Sequence, residues 1–417
     1  MARTTIRTED VTDSEVTTAK MATDPTDAAT LASGTVPTAR LGSGSATSST
    51  VLHGDNTWAA VSGLPTQTSN SGKVLITDGT DASWALYSNR NIIINGAMGV
   101  SQRSTSVASV VANGYYAADR WKWYIGTPGT SVFTISRETD SPAGFGHSTK
   151  IINTTAGTIA AGTELFVSQQ IEGLNLQQIQ KGTATAQQVT VSFWIKATQI
   201  GTYILELYDM DNSRTCSQSY TVSVTATWEY KTVTFPADTT GAFGADIGGS
   251  LWLDFWMRAG TTFSSGTLAT TWAAEANANR AVGQVDALDT LHDAVQITGV
   301  QLEVGALATT FEYKTYGQEL AGCQRYYYEI SSAFAAVTAT TIVPNIQFPV
   351  TMRETPAVTH EYGGVVNDIY QISNGATPTF VANGAFPTAE GYKYAYDFDA
   401  GLTVEGHQTS WTFDAEL

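Results

Sequence analysis

The stretch from Val189 to Ala197, VTVSFWIKA, alternates aliphatic side chains with polar and aromatic ones. The same period of two recurs in YILEL at 203–207 and in LWLDFWM at 251–257. Successive side chains of a strand point to opposite faces, so this alternation predicts half-buried β-strands. Many such strands, separated by Gly, Thr, Asn and Asp turns without long helical patterns between them, predict a β-sandwich or barrel. We therefore expect one large sandwich over residues 91–315.

The two faces of these strands differ in composition. One parity is rich in aliphatic residues and is expected to form the core: Val189, Val191, Phe193, Ile195, Leu205, Leu207, Leu251, Leu253, Phe255 and Met257. The opposite parity carries Trp194, Tyr208, Trp252 and Trp256, beside Glu206, Asp254 and Arg258. So much aromatic area is not expected to stay bare. Two interpretations remain open: an interface with another sheet or a neighbouring subunit, or a sugar platform on which pyranose rings stack.

Residues 1–90 differ from the sandwich segment, because Thr, Ser, Ala, Gly and Asp dominate them. They contain an imperfect repeat, VLHGDNTWA at 51–59 and VLITDGTDASWA at 74–85, in which two short strands flank a turn. One such hairpin has too little apolar area to fold alone. The segment is therefore either a disordered linker or an oligomeric shaft, in which Trp58 and Trp84 pack against copies of themselves. The repeat favours the shaft.

The C-terminal part begins with the best helix candidate, YGQELAGCQRYYYEI at 316–330, which we expect to be a connector. Residues 331–417 return to strand patterns and predict a second, smaller β-sandwich. Its loop EYGGVVNDIY at 361–370 mixes aromatic, amide and acidic side chains. This loop is either a ligand-contacting tip or an ordinary hairpin connection. The candidate glycan contacts in it are Tyr362, Asn367, Asp368 and Tyr370.

Composition excludes several classes of function. The 417 residues carry a formal net charge of −17, so neither nucleic acid nor an anionic membrane surface is an expected partner. The sequence shows no secretory signal peptide and nothing near the roughly 18 consecutive apolar residues of a membrane span. We expect synthesis in the cytoplasm and, if the protein acts outside the cell, release by another route, of which lysis is one. The two cysteines, Cys216 and Cys323, suggest neither a disulfide framework nor a zinc site.

The common signatures of catalysis are also missing. The five histidines are scattered, and neither a G-x-S-x-G elbow nor a Walker A motif occurs. Asp209 and Asp211 could be a glycosidase pair, but they sit where a hairpin turn is expected. Asp286, Asp289 and Asp293 could hold calcium, although they lack the spacing of a calcium loop and are better explained as a solvated connection. We expect no enzymatic activity, no cofactor and no metal.

Several segments resemble one family, the tail fibre proteins of tailed bacteriophages. They follow the order shaft, start of the globular domain, its last strand with the next helix, and distal domain: SGTVPTARLGSGSATSSTVLHGDNTWAAV (33–61), NIIINGAMGVSQRSTS (91–106), YYAADRWKWY (115–124), ITGVQLEVGALATTFEYKTYGQELAGCQRYYYEI (297–330), FPVTMRETPAVT (348–359) and DAEL (414–417). Separately, VTVSFWIKA and LWLDFWM resemble strands of jelly-roll carbohydrate-binding modules. The second resemblance implies a jelly-roll sandwich. It transfers no binding residue, because ligand contacts vary among such modules.

The resemblance to tail fibres implies a homotrimeric appendage of the virion tail. Its N-terminal segment would attach to a phage tail or adaptor protein, and its exposed domains would bind a host-surface glycan during adsorption, without turnover. Two alternatives stay open: a purely structural appendage or adaptor without a receptor, and, less favoured, a polysaccharide depolymerase. Depolymerases of this kind are usually parallel β-helices, and no such repeat is visible.

Overall fold

The structure is a computed structural model, and the chain has two compact units, Met1–Thr66 and Gln67–Leu417. The described residues are 43, 47, 50–52, 54, 56–60, 74–77, 80, 82–85, 89–335, 341–342, 345–362, 365–366, 370–371, 380–387, 389, 391–398 and 406–417.

The described residues are mainly β, as the sequence predicts. The strands are β1 (Thr50–Leu52), β2 (Trp58–Ala60), β3 (Val74–Thr77), β4 (Ala82–Ala85), β5 (Ser106–Val110), β6 (Gly114–Tyr115), β7 (Lys122–Gly126), β8 (Val132–Glu138), β9 (Ser148–Thr155), β10 (Glu164–Glu172), β11 (Val189–Ala197), β12 (Gly201–Asp209), β13 (Arg214–Val222), β14 (Glu229–Phe235), β15 (Gly249–Ala259), β16 (Ala273–Ala274), β17 (Ala294–Val304), β18 (Tyr327–Ala335), β19 (Thr341–Ile342), β20 (Asn345–Gln347), β21 (Ala357–Tyr362), β22 (Val365–Val366), β23 (Tyr370–Gln371), β24 (Phe380–Pro387), β25 (Gly391–Phe398) and β26 (Gly406–Asp414). The α-helices are α1 (Thr261–Ser264) and α2 (Tyr316–Gln324), and 3-10 turns span Gly173–Ile179 and Asn277–Asn279.

The large domain is a sandwich of two antiparallel sheets. The seven-stranded sheet has the order β16-β13-β12-β15-β10-β7-β6, and the six-stranded sheet has the order β14-β11-β17-β9-β8-β5. Strands that are distant in sequence are neighbours in both sheets, as in a jelly roll. The described part of the first unit contains the hairpin β1-β2, and β3 pairs with β4 in the second unit.

The predicted core is confirmed. All ten residues of the aliphatic parity are at most 4% exposed. Phe193 of the six-stranded sheet meets Phe255 of the seven-stranded sheet edge to face, with ring centroids 4.9 Å apart. Because fully burying one such side chain contributes about 1.5–3 kcal/mol, these facing residues account for much of what holds the two sheets together.

The connecting helix is shorter than the predicted 316–330. It starts with a capping box, in which the Thr315 hydroxyl accepts from the Gln318 amide and the Gln318 side chain accepts from the Thr315 amide. It ends at Gln324, and β18 begins at Tyr327. The Tyr326 hydroxyl donates to Glu172 at 2.6 Å, which directs the tyrosine run onto the sandwich instead of continuing the helix.

Strands beyond the helix form two further antiparallel sheets, β18-β26-β21-β22 with β23 beside β26, and β19-β25-β20 with β24 beside β25. The last residues lie against the sandwich. Glu416 pairs with Arg120 and, at 3.3 Å, with Arg103. The Tyr115 hydroxyl donates to the Leu417 carbonyl oxygen at 3.0 Å. The end of β26 is thus fastened to the sandwich by charge-assisted contacts.

Candidate functional site

The structure divides the predicted aromatic face between two sheets. Trp194 lies on β11 of the six-stranded sheet, whereas Tyr208, Trp252 and Trp256 lie on β12 and β15 of the seven-stranded sheet. All four occupy strand positions that alternate with the core residues, but the outer faces of the two sheets lie on opposite sides of the sandwich. The expectation of one continuous surface is therefore wrong, because parity distinguishes inside from outside and does not identify the sheet.

Trp256 is fully buried by the protein's own chain. Its ring lies 4.9 Å from that of Phe166 and 5.5 Å from that of Phe263 in α1, measured between centroids. Its indole N–H donates to Glu206 at 2.9 Å. A sugar cannot stack on this ring, so Trp256 is a packing residue.

Buried charges accompany Trp256 on the same outer face. Arg280 binds Glu206 through two nitrogens, at 2.8 and 3.0 Å, and the Glu206 carboxylate is fully buried. Asp254 lies directly opposite Glu206 in the β12–β15 register. Ser168 lies opposite Asp254 on the other side, in the β10–β15 register, and the nearest cation to its carboxylate is Arg280 at 3.8 Å. Burial, followed by the neighbouring charge of Glu206, raises the pKa of Asp254 well above its usual range.

Tyr208 and Trp252 are half-buried and lie near one edge of this face. Trp252 stacks on Tyr124 with ring centroids 5.1 Å apart and meets the edge of Tyr208 at 5.9 Å. The Tyr208 hydroxyl donates to Glu275 at 2.7 Å. Much of the surface of these rings is therefore covered by their contacts with one another.

The six-stranded sheet carries an open cleft on its outer face, which we call the aromatic groove. It is lined by residues of β11 and β14, by Ala143 and Phe145, by residues 306–311 and Tyr313, and, at its margin, by Thr77. Its free volume is about 770 Å³. Ligand pockets usually measure about 300–1,000 Å³ and are lined by aromatic side chains with a few polar groups, so the groove has the size and lining of a binding site.

The floor of the groove consists of cross-strand pairs. Trp194 lies opposite Tyr230, with ring centroids 5.4 Å apart, and Tyr230 is 46% exposed. Thr190 lies opposite Thr234, and their hydroxyl oxygens are 3.0 Å apart. Aromatic and threonine pairs stabilise neighbouring strands, and here Tyr230 and Thr234 of these pairs are exposed.

The wall of the groove is a cluster of three rings from loops. Phe145 lies 5.1 Å from Phe311 and 5.7 Å from Tyr313, and the last two are 5.0 Å apart, measured between centroids. Tyr313 is 62% exposed, which is unusual for a ring that has packing partners so close. The cluster extends the aromatic surface of Trp194 and Tyr230 beyond the sheet.

Gly299 allows the wall residue Phe145 and the floor residue Trp194 to lie close to the same backbone position. Gly299 lies at an irregularity in the pairing of β11 with β17 and has a φ of +64°. A Cβ at this position would lie 2.7 Å from the Phe145 ring and 3.1 Å from the Trp194 ring. Only glycine permits both the left-handed backbone and this close approach.

The wall is held in place by the chain itself. The buried carboxylate of Glu303 accepts from the Thr309 amide at 2.8 Å and from the Thr309 hydroxyl at 2.7 Å. Gln301 donates to Glu303 at 2.8 Å and accepts from the Glu312 amide at 2.8 Å. The groove is therefore preorganised, which lowers the entropy cost of binding.

Sequence reasoning missed most of the groove. Tyr230, Phe145, Phe311 and Tyr313 were not identified as site residues. Tyr230 had a signal, since it alternates with Thr232 and Thr234 in a strand pattern. The three wall residues come from loops without periodicity, and Phe145 is more than 150 positions from Phe311 (311 − 145 = 166).

The other predicted site residues have varied positions. Tyr362 ends β21 and Tyr370 begins β23, whereas Asn367 and Asp368 lie outside the described residues. Trp58 pairs with Leu52 and Trp84 with Leu75 in their hairpins, and both tryptophans are half-buried. The roles predicted for these residues stay predictions.

The acidic residues weighed for catalysis or metal binding are engaged by the chain. Asp209 is fully buried, and Asp211 accepts from the Gly244 amide at 2.8 Å. Asp286 pairs with Arg258 at 2.7 Å, and Asp293 accepts from Thr290 and Gln199. Among the described residues, no group of three or more His, Cys, Asp or Glu side chains could hold a metal ion. In the same part of the chain, no helix is long and apolar enough to cross a membrane.

Comparisons with protein families and with curated proteins find no match. Similar solved structures include the enzymatically active domain of Bacteriophage CBA120 tailspike protein 4, at 12% identity, with 51% of this chain and 21% of that chain covered and a TM-score of 0.28. Another is the CBM22-1 xylan-binding domain from Paenibacillus barcinonensis Xyn10C, at 12% identity, with 50% and 100% covered and a TM-score of 0.24. A third is a family 11 carbohydrate-binding module from Clostridium thermocellum, at 10% identity, with 49% and 98% covered and a TM-score of 0.24. The chain spans about a fifth of the tailspike domain, and similarities this low assign no function.

Proposed function

We propose that this protein is a host-recognition fibre of a tailed bacteriophage that binds a surface glycan in the aromatic groove, without turnover. The observation that carries the glycan site is the groove itself, about 770 Å³ of open space lined by aromatic rings and threonine hydroxyls. The virion context comes from the sequence segments that resemble tail fibres.

The chemistry of the groove suits a sugar. Pyranose rings present C–H faces that pack on aromatic rings, and their hydroxyls pair with small polar side chains. Tyr230 and Tyr313 offer exposed rings, and Thr232 and Thr234 are exposed on β14. Exposed apolar surface of this kind marks an interaction site.

The groups that line the groove support binding without hydrolysis. A glycosidase needs two carboxyls roughly 5–9.5 Å apart, facing the scissile bond. None of the described residues that line the aromatic groove carries a carboxylate. Glu206 and Asp254, which do lie side by side, are fully buried on the other sheet. The proposal is therefore adsorption, with weak single sites strengthened by avidity in a trimer.

The main alternative is a structural appendage in which the groove is an interface between subunits. Tyr230→Ala and Trp194→Ala distinguish the two possibilities, and Tyr316→Ala, a change at a 64% exposed ring outside the groove, is the matched control. The measurements are binding of the purified protein to host cells and molecular mass by light scattering.

We expect both groove variants to keep the wild-type mass and to bind cells about tenfold more weakly or worse, which corresponds to about 1.4 kcal/mol. Tyr316→Ala should match the wild type in both measurements. A groove variant that dissociates into smaller species would identify an interface instead. If all three variants bind cells normally, glycan recognition is not in the groove, and the distal residues Tyr362 and Tyr370 become the sites to test.

A further inference from the structure

We infer that the glycan bound in the aromatic groove is uncharged and carries methyl substituents, as in 6-deoxyhexoses and N-acetylated sugars, which face the alanine and leucine part of the wall. This inference rests on the proposed function and narrows its ligand class. It follows from three properties of the groove: the lack of charged side chains in its described lining, the aliphatic stretch of its wall, and the position of its exposed hydroxyls.

The first property is the absence of charge. Among the residues that the structure describes, none of the side chains that line the groove is charged, and the whole chain carries a net charge of −17. The lysines nearest in sequence to its floor are already paired, Lys196 with Asp140 at 2.6 Å and Lys231 with Glu229 at 2.8 Å. No described residue that lines the groove offers an anionic sugar a positive charge, and the net charge of the protein would repel it.

The second property is a stretch of wall with aliphatic side chains. Ala143, Ala306, Leu307 and Ala308 line the groove, and Leu307 is 41% exposed. Two backbone carbonyl oxygens in this stretch, those of Gly305 and Ala306, already accept from Thr190 and Thr234. A sugar hydroxyl turned to these aliphatic side chains would lose its water without gaining a partner from them, whereas a methyl group would gain contact.

The third property is that the floor carries exposed hydroxyls. Thr232 and Thr234 are exposed on the outer face of β14, beside Tyr230. A sugar ring stacked on Tyr230 can therefore direct ring hydroxyls to the threonines while an exocyclic methyl group meets the wall. This arrangement separates polar from apolar contacts and gives the groove an orientation for its ligand.

Matched pairs of methyl glycosides test the inference directly. Methyl α-L-rhamnoside and methyl α-L-mannoside differ by one oxygen at C6, and methyl N-acetyl-β-D-glucosaminide and methyl β-D-glucoside differ by the acetamido group. Titration followed by tryptophan fluorescence and by ligand-observed NMR should show at least tenfold tighter binding of one methyl-bearing member over its partner. Methyl β-D-glucuronide should not bind, and salt should have little effect on the others.

A wall variant ties the preference to the groove. Ala308→Ser adds one hydroxyl to the aliphatic stretch of the wall, and Ala276→Ser adds one at an exposed position outside the groove. The first should reduce the preference for the methyl-bearing sugar at least threefold, and the second should leave it unchanged.

The outcomes separate the two proposals. Equal affinity within both pairs, or tightest binding of the glucuronide, would overturn the inference and leave glycan binding in place. The same holds if no glycoside binds while Tyr230→Ala still abolishes adsorption to cells. If no glycoside binds and Tyr230→Ala adsorbs normally, both the proposed function and the inference fail.

Discussion

Replacing Lys181 by methionine should destabilise the sandwich by about 3–5 kcal/mol, because it removes one partner of a buried ion pair. The Lys181 ammonium is enclosed by oxygens of four residues: Asp209 (2.5 Å), Asp238 (3.1 Å), Thr240 (3.0 Å) and Gly241 (2.7 Å). The lysine side chain is 2% exposed and that of Asp209 is not exposed at all. Methionine keeps most of the apolar stem and removes the charge, so the buried carboxylate loses its cation.

The chain contains a matched control with nearly the same geometry at the surface. Lys196 binds Asp140 with an N–O distance of 2.6 Å, but the two side chains are 24% and 45% exposed. Water screens this pair, so Lys196→Met should cost about 1 kcal/mol or less. The two pairs have nearly the same N–O distance and the same charge types, whereas Lys181 is buried and has three further oxygen partners.

Urea unfolding followed by circular dichroism measures both variants against the wild type, and thermal scans provide a second reading. A loss of 3–5 kcal/mol corresponds to roughly 10 °C in a domain of this size. Asp209→Asn in the Lys181→Met background should recover part of the loss, because it neutralises the stranded carboxylate. If Lys181→Met and Lys196→Met cost the same, burial does not determine the strength of these pairs and the reasoning is wrong.

Three further predictions concern the other features. Burial and the charge of Glu206 raise the pKa of Asp254 in the folded state, so the folded protein holds a proton that the unfolded chain releases. Stability should therefore fall as pH rises from about 4 through that raised pKa. Asp254→Asn should flatten this dependence in urea midpoints measured from pH 5 to 9. Gly299→Ala should displace the Phe145 ring and weaken glycan binding, whereas Gly317→Ala, whose Cβ meets nothing within 4 Å, should bind normally in the same assay. Light scattering should give about three times the 44.4 kDa chain mass, and a stable monomer at micromolar concentration would contradict the shaft hypothesis.

The sequence was sufficient for the core because the core depends on local alternation. Every residue that the period of two assigned to the inner face of VTVSFWIKA and LWLDFWM is buried. The period is a property of one strand, and each strand carries it without reference to its neighbours. The sheet to which a strand belongs depends on which strands it pairs with. β11 pairs with β17, about a hundred residues later in the chain. Trp194 and Trp252 therefore looked alike in sequence although they lie on opposite sides of the sandwich.

The length of the helix shows a second limit of local patterns. Residues 316–330 have apolar side chains at helical spacing, yet the helix stops at Gln324. The tyrosines that follow have high strand propensity, and Tyr327 pairs with Asp414 of the last strand. The contact of Tyr326 with Glu172 spans more than 150 positions (326 − 172 = 154). A long-range partner decides this boundary, so the local period could not place it.

The difference between the two outer faces bears on which one is available for binding. Both carry aromatic side chains, but on the seven-stranded sheet α1 and the following residues as far as Ala281 pack over Trp256. Taking Glu206 and Arg280 out of water costs free energy that their attraction only partly returns, so this cover adds little net stability from its ion pair. The ion pair instead fixes the position of the covering segment, because Arg280 donates two hydrogen bonds to the Glu206 carboxylate. The six-stranded sheet has no comparable ion pair among the described residues that line its groove, and its rings stay open to solvent. An aromatic outer face therefore becomes a binding surface or a packing surface according to whether the chain's own loops fold over it, and here the loops cover one face and frame the other.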